Sequence, residues 1–184
     1  MAIASGIAFS HVGIHVADLQ GMEGFYTRLL GLVVTDRGQL DTPRGPVDLV
    51  FLSGDPDEHH QVVLCSGRPP DLAFNTINQI SFRVATVAAL RELYGRLRSE
   101  PVSEIAPVTH GNAVSVYFRD PEGNRIELFC DTPWYVTQPM RESIDLSLPD
   151  ATLMGLLEAR ARLMPGFKPR SEWRAEMARR MGVE

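Results

Sequence analysis

The sequence predicts an α+β fold: two tandem βαβββ modules whose mixed sheets pair around a central cleft, plus a C-terminal helical extension. Three observations carry this. A strand-then-helix pattern occurs twice, 68 residues apart, each copy closes in a strand–turn–strand pattern offset by 65 residues, and the remaining chain turns to helical spacing. Self-similarity at a fixed period marks a duplicated supersecondary unit.

In the first copy, the stretch from Phe9 to Leu19 alternates, with Val12, Ile14 and Val16 on one face and His11, Gly13 and His15 on the other. Met22, Phe25, Tyr26, Leu29 and Leu30 follow at helical spacing, and Gly31 stands where helices commonly end. The second copy runs from Ile77 to Ala85 and continues through Leu90, Leu93, Tyr94, Arg96 and Leu97. At the 68-residue offset Val16, Ala17, Tyr26, Arg28 and Leu29 meet the identical Val84, Ala85, Tyr94, Arg96 and Leu97. At the 65-residue offset the run from Leu52 to Pro56 lies over that from Tyr117 to Pro121, and Cys65 over Cys130.

The stretch from Tyr117 to Glu127 reads as a hairpin, its turn formers Asp120-Pro121-Glu122-Gly123-Asn124 joining two strands. On the second strand Arg125, Glu127 and Phe129 share one face, and Ile126 and Leu128 take the other. A mid-strand carboxylate such as Glu127 requires a compensating partner. Used as a ruler, the repeat places His11 on Gln79, Gly13 on Ser81, Val62 on Glu127 and His60 on Arg125. One face of each module is then aliphatic and fit to pack on its helix. The other gathers His11, Gly13, His60, Gln79, Ser81 and Glu127, where small side chains leave room for a ligand.

Composition narrows the function classes. A chain of 184 residues, 44% hydrophobic and 22% charged, suits one compact domain with an extension. The boundaries expected are 1–131 for the domain (module one about 7–68, module two about 75–131) and 132–184 for an arm and helices. A net charge of −5 argues against a nucleic-acid partner, which selects a clustered basic face. With neither a long apolar run nor a secretory leader pattern, a cytoplasmic protein without a membrane partner is expected. Cys65 and Cys130, without CxxC spacing, read as reduced core residues.

The His11-Val12 strand, the Asp18-Leu19 and Phe25-Tyr26 helix, and the closing Tyr117–Leu128 hairpin resemble the vicinal oxygen chelate superfamily. Glyoxalase I, extradiol ring-cleaving dioxygenases, fosfomycin-resistance proteins and bleomycin-sequestering proteins belong to it. The resemblance spans roughly residues 7 to 131, and Thr109-His110-Gly111, Tyr117 and Glu127, in that order, look most like the type I extradiol dioxygenases.

That resemblance implies a metal bound by His11 and Glu127, with Gln79 at the place of the family's second histidine. Glutamine serves as a ligand in some glyoxalases, so the substitution weakens such a site without abolishing it. Val62, at the place of the glyoxalases' second glutamate, tells against glyoxalase chemistry. His60, taken to face the cleft, is implied as the acid–base residue, with Tyr117 and His110 hydrogen-bonding the substrate. His59 is expected to point away or sit at the loop edge. The implied metal is Fe(II), with Mn(II) or another divalent ion as alternatives. The implied partners are a small aromatic substrate and O2, in a homodimer or higher homo-oligomer. The activity implied is extradiol-type cleavage of a catechol-like ring. A non-oxidative metal-dependent isomerase or lyase, and a metal-free small-molecule binding protein, are the alternatives.

Past Asp131, residues 132–139 read as an extended arm bearing Trp134 and Tyr135. Pro149-Asp150 opens a helix with Leu153, Leu156, Leu157 and Ala161, and a second helix after Ser171 carries Trp173, Met177 and Met181 on one stripe. Those stripes need a cover, which either the cleft or a second subunit could supply.

Overall fold

The first repeat folds as β1 (Val12–His15), α1 (Leu19–Leu30), β2 (Val33–Thr42), β3 (Gly45–Ser53) and β4 (Val62–Cys65) in a computed structural model that describes residues 7–43, 45–72 and 74–183. Asp18 caps α1 by accepting from the Gly21 N–H at 2.9 Å, and Gly31, at φ +70°, closes it. Met22, Phe25, Tyr26 and Leu29 are buried along the helix stripe that the spacing predicts. The strands form one sheet in the order β1-β4-β3-β2, with β1 parallel to β4 and the other pairs antiparallel.

The second repeat folds alike, as β5 (Ile80–Arg83), α2 (Val87–Leu97), β6 (Ser103–Thr109), β7 (Ala113–Arg119) and β8 (Arg125–Asp131). Thr86 caps α2 through the Ala89 N–H. Its strands take the order β6-β7-β8-β5, again with the module's first strand parallel to its last. Val114, Val116, Phe118, Ile126 and Leu128 are buried, and each such side chain contributes about 1.5–3 kcal/mol by leaving water.

The arm adds β9 (Trp134–Tyr135), β10 (Glu142–Ser143), α3 (Asp150–Ala161), β11 (Lys168–Pro169) and α4 (Arg170–Met181). β10 extends the second sheet by pairing with β6, and β11 pairs with β9. Leu153, Leu157 and Ala161 are buried on α3, whereas Leu156 and Met181 are exposed. Both cysteines are free thiols, and burial pushes the Cys130 thiol up to about 11. Among the described residues no helix is long and apolar enough to cross a membrane.

The chain divides into two compact units, one of Ala8–Ile77 with Pro121–Gly123 and one of Asn78–Asp120 with the residues from Asn124 onward. The arm thus belongs to the same unit as the second module. The hairpin turn shows why its motif needs those residues. Asp120 accepts from the backbone and side-chain N–H of Asn124, each at 2.8 Å, and Gly123 takes φ +82°. Glu122 accepts from the N–H groups of Ala17 and Asp18 at 2.8 Å, ahead of α1, and pairs with Arg68 at 3.3 Å. A half-buried carboxylate accepting from backbone N–H groups is a charge-assisted cap. Glu122→Ala is therefore expected to lower stability by about 1.5–3 kcal/mol. Urea unfolding measures it, and a midpoint equal to wild type would show the cap to be inert.

Candidate functional site

Strand register lays down one row of side chains across the second sheet. Ser81 lies opposite Glu127 in the parallel β5–β8 pair, and Tyr117 lies opposite Glu127 in the antiparallel β7–β8 pair. Directly paired residues project from the same face. Glu127 is only 7% exposed, and its Oε2 accepts from Ser81 Oγ at 2.6 Å and from Gln79 Nε2 at 2.9 Å. Both donors are neutral. Among the described residues no lysine or arginine is ion-paired with Glu127, and His110 Nε2 stands 3.7 Å from its Oε1. Removing a carboxylate from water costs several kcal/mol, which neutral donors offset only in part. The carboxylate's charge is thus only partly compensated by its neighbours.

Tyr117 and His110 extend it. Burial first, then the hydrogen bond and charge of Glu127, push the Tyr117 phenol up to about 12, against smaller opposing effects of Gln79 and Arg125. His110 Nδ1 is 2.7 Å from the Met140 carbonyl, which can only accept, so Nδ1 carries a hydrogen. Nε2 lies 2.9 Å from the Tyr117 hydroxyl. A neutral His110 accepts the phenolic O–H there. A protonated His110 donates instead, freeing the phenol to donate to Glu127. The contacts thus support two proton arrangements.

The arm fixes this histidine. Gly111 has φ +74°, and a Cβ on it would come within 2.3 Å of Val136 Cγ2, so only glycine fits. Its carbonyl accepts from Trp134 Nε1 at 2.7 Å, and Gln138 Nε2 donates to the His110 carbonyl at 2.7 Å. A cavity of about 390 Å³ opens over the row, lined by Gln79, Ser81, His110, Tyr117, Glu127 and Phe129. The arm lines it too, through Trp134, Tyr135, Gln138, Arg170 and Trp173.

The first unit holds the remaining predicted residues. His11 is exposed, and its ring centroid lies 4.2 Å from that of His60. His59 and His60 share a hydrogen between their Nδ1 atoms at 2.8 Å, and Phe51 stands edge-on to His60 at 5.1 Å. Burial, then the charges of His11 and His59, hold His60 below the ordinary histidine value, against Glu58.

Two expectations need correcting. His60 does not lie on a strand, because β4 begins at Val62, and it reaches His11 from the preceding loop. His59 sits exposed in the same loop, in keeping with the loop-edge alternative, with its ring beside His60 and Phe51. The counterpart of Glu127 is Val63, not Val62, since Gly13 pairs with Val63 as Ser81 pairs with Glu127. The cause is loop length: Leu52 pairs with Val62, ten residues on, whereas Phe118 pairs with Ile126, eight residues on. No single offset can align both strands.

Gln79, His110, Tyr117 and Glu127 thus gather in one unit, and His11 and His60 in the other. No three His, Cys, Asp or Glu side chains among the described residues form a group able to hold a metal ion. Sequence reasoning missed the Ser81 hydroxyl as the closest donor to Glu127, and Arg170 and Trp173 as cavity walls. The apolar stripe through Trp173 was the available signal for the latter.

The family model described as the Glyoxalase/Bleomycin resistance protein/Dioxygenase superfamily matches residues 8–128. The chain belongs to this superfamily. Biphenyl-2,3-diol 1,2-dioxygenase 2 of Rhodococcus globerulus is 27% identical over 127 residues, covering 67% of this chain and 62% of the relative. Biphenyl-2,3-diol 1,2-dioxygenase 3 of the same organism is 31% identical over 127 residues, covering 66% and 62%. The matched region thus spans less than two thirds of these relatives. Among solved structures, a glyoxylase/bleomycin resistance protein/dioxygenase domain from Frankia sp. EAN1pec superposes with TM-score 0.58 at 24% identity, over 68% of this chain and 98% of that one. The fosfomycin resistance protein FosX of Listeria monocytogenes, solved with Mn(II) and sulfate, gives 0.51 at 21% identity, over 68% and 93%. Both likenesses establish the superfamily fold.

Because the folded-state value of Tyr117 lies above the unfolded value near 10, the folded chain holds that proton more tightly. Its contribution to stability is complete below about pH 10 and is lost as pH rises through about 12. Urea midpoints measured across that window should fall in the wild type and fall less in Tyr117→Phe. Parallel profiles would remove Glu127 and burial as the cause.

Proposed function

We propose that this chain is a metal-dependent dioxygenase of the extradiol type, opening a catechol-like ring with O2. The observation that carries this reading is Glu127, a buried carboxylate compensated only by neutral donors, on the wall of an aromatic cavity beside the Tyr117–His110 pair. Similarity to two biphenyl-diol dioxygenases supports the substrate class.

In this proposal the residues that hold the metal are Glu127 through its carboxylate, Gln79 through its amide oxygen, and His11 through its imidazole. Two oxygen donors and one imidazole fit Fe(II) or Mn(II). A divalent ion held there would supply Lewis acidity toward the two adjacent hydroxyls and the redox chemistry toward O2. Ser81 holds the Glu127 carboxylate in one orientation. Tyr117 donates its phenolic hydrogen to a substrate oxygen, and His110 replaces that hydrogen through Nε2. His60, which burial and the charges of His11 and His59 keep toward its neutral form, accepts the hydrogen that the diol gives up. The cavity walls exclude water around the flat ring.

Gln79 favours a second reading. A neutral amide in place of imidazole suits a non-oxidative isomerase or lyase, which needs a metal for polarisation and no electron transfer.

Anaerobic loading with Fe(II), desalting and metal analysis, followed by oxygen uptake on a catechol panel, tests the proposal. About one iron per chain is expected for the wild type, with loss in Glu127→Ala and affinity about 10–100-fold weaker in Ser81→Ala. Iron bound without oxygen uptake moves the weight to the non-oxidative reading. Failure of iron, manganese and nickel alike to bind leaves only a metal-free ligand-binding protein.

A further inference from the structure

The arm gives the cavity a second chemical pole, away from Glu127. Asp131 Oδ2 is ion-paired with Arg170 Nη2 at 2.9 Å and with Arg83 Nε at 3.2 Å. Two guanidiniums on one carboxylate leave a surplus of one positive charge. Arg83 lies over the Phe129 ring with its side chain 64% exposed, whereas Arg170 is 27% exposed and lines the cavity. The other polar walls near it, Asn112 and Gln138, are neutral.

Arg170 is held there by construction. It follows β11, which pairs with β9, and its backbone N–H donates to the Pro133 carbonyl at 2.9 Å. One turn further along α4, Trp173 stacks on Tyr135 with ring centroids 5.3 Å apart and planes 11° from parallel. A guanidinium therefore stands beside a flat aromatic wall inside a cavity of about 390 Å³, larger than a bare diol ring fills.

Building on the dioxygenase reading, we propose that Arg170, Tyr135 and Trp173 form a subsite for an anionic substituent, so that the preferred substrates are catechols bearing a carboxylate side chain. The aromatic pair covers the apolar part of the side chain, and the guanidinium N–H groups not spent on Asp131 bind the carboxylate. An uncharged substituent leaves the surplus charge unpaired as the cavity dries, so the subsite selects for the acid.

Both tryptophans of the chain, Trp134 and Trp173, line this cavity, so intrinsic fluorescence reports on it in metal-free protein. Phenylpropionate is expected to bind at least about tenfold more tightly than phenylpropanol, the margin of a hydrogen bond to a charged group. Arg170→Met should bring the acid down to the level of the alcohol and leave the alcohol unchanged. Asp131→Asn, which removes the competing carboxylate, should tighten the acid further, an outcome that a purely structural Arg170–Asp131 pair does not give. Equal binding of the two probes, or weaker acid binding in Asp131→Asn, overturns the subsite, and the second variant carries the test if Arg170→Met does not fold.

With iron-loaded protein, a propionate-bearing catechol should exceed its uncharged propyl analogue in kcat/KM, and Arg170→Met should remove the preference. Discrimination in fluorescence without turnover of any catechol would end the dioxygenase reading and leave the subsite. Turnover of both catechols at equal efficiency would end the subsite alone.

Discussion

A carboxylate buried in the middle of a sheet is the constraint on which this molecule's chemistry rests. Glu127 sits between two in-register neighbours, Ser81 across the parallel pair and Tyr117 across the antiparallel pair. A slip of one residue in either ladder would turn Glu127 into the face that packs on α2 and present Ile126 or Leu128 to the cavity. The apolar alternation that builds the core therefore also aims the acid. Ser81, small and hydroxylic, approaches to 2.6 Å where a larger residue would fill the space.

The arm turns that row into a chamber. His110 needs an acceptor for Nδ1 if Nε2 is to meet Tyr117, and Met140 supplies it from the loop between β9 and β10, outside the repeat. Gly111, Trp134 and Val136 lock the turn that carries His110, and Tyr135, Arg170 and Trp173 wall the opening. The extension is thus part of the cavity and not an appendage beside it.

Much of this was legible from residues alone. The helix end at Gly31, the alternation around Val12 and Ile80, and the turn at Asp120–Asn124 are local signals, and each formed where the pattern put it. The parity argument for Glu127 also succeeded, because strand alternation is local. It failed for His60 and Val62 because the loop before β4 is longer than its counterpart, and a sequence offset cannot say on which side of a turn extra residues fall. The arm's contacts were invisible for another reason. They join Trp134 to Gly111 and Met140 to His110 through backbone carbonyls, which carry no sequence signature.

The two modules, equal in fold, have diverged in what their equivalent rows carry. In the second the row is Ser81, Glu127 and Tyr117, and in the first it is Gly13, Val63 and Phe51. The first has lost every polar group on that row, and its histidines stand off it, His11 ahead of β1 and His59 and His60 in the longer loop. Among the described residues no three His, Cys, Asp or Glu side chains form a group able to hold a metal ion, and His110 is committed at both ring nitrogens. On the proposed ligand set, two oxygens and one nitrogen replace the more nitrogen-rich facial triad, and oxygen donors favour harder ions such as Mn(II). Because Gln79 spends its N–H on Glu127, its amide oxygen is the atom turned to other use, and the same hydrogen bond stabilises the carboxylate's charge. On that proposed set one glutamine would temper both ligands at once, tying the choice of metal to a single side chain.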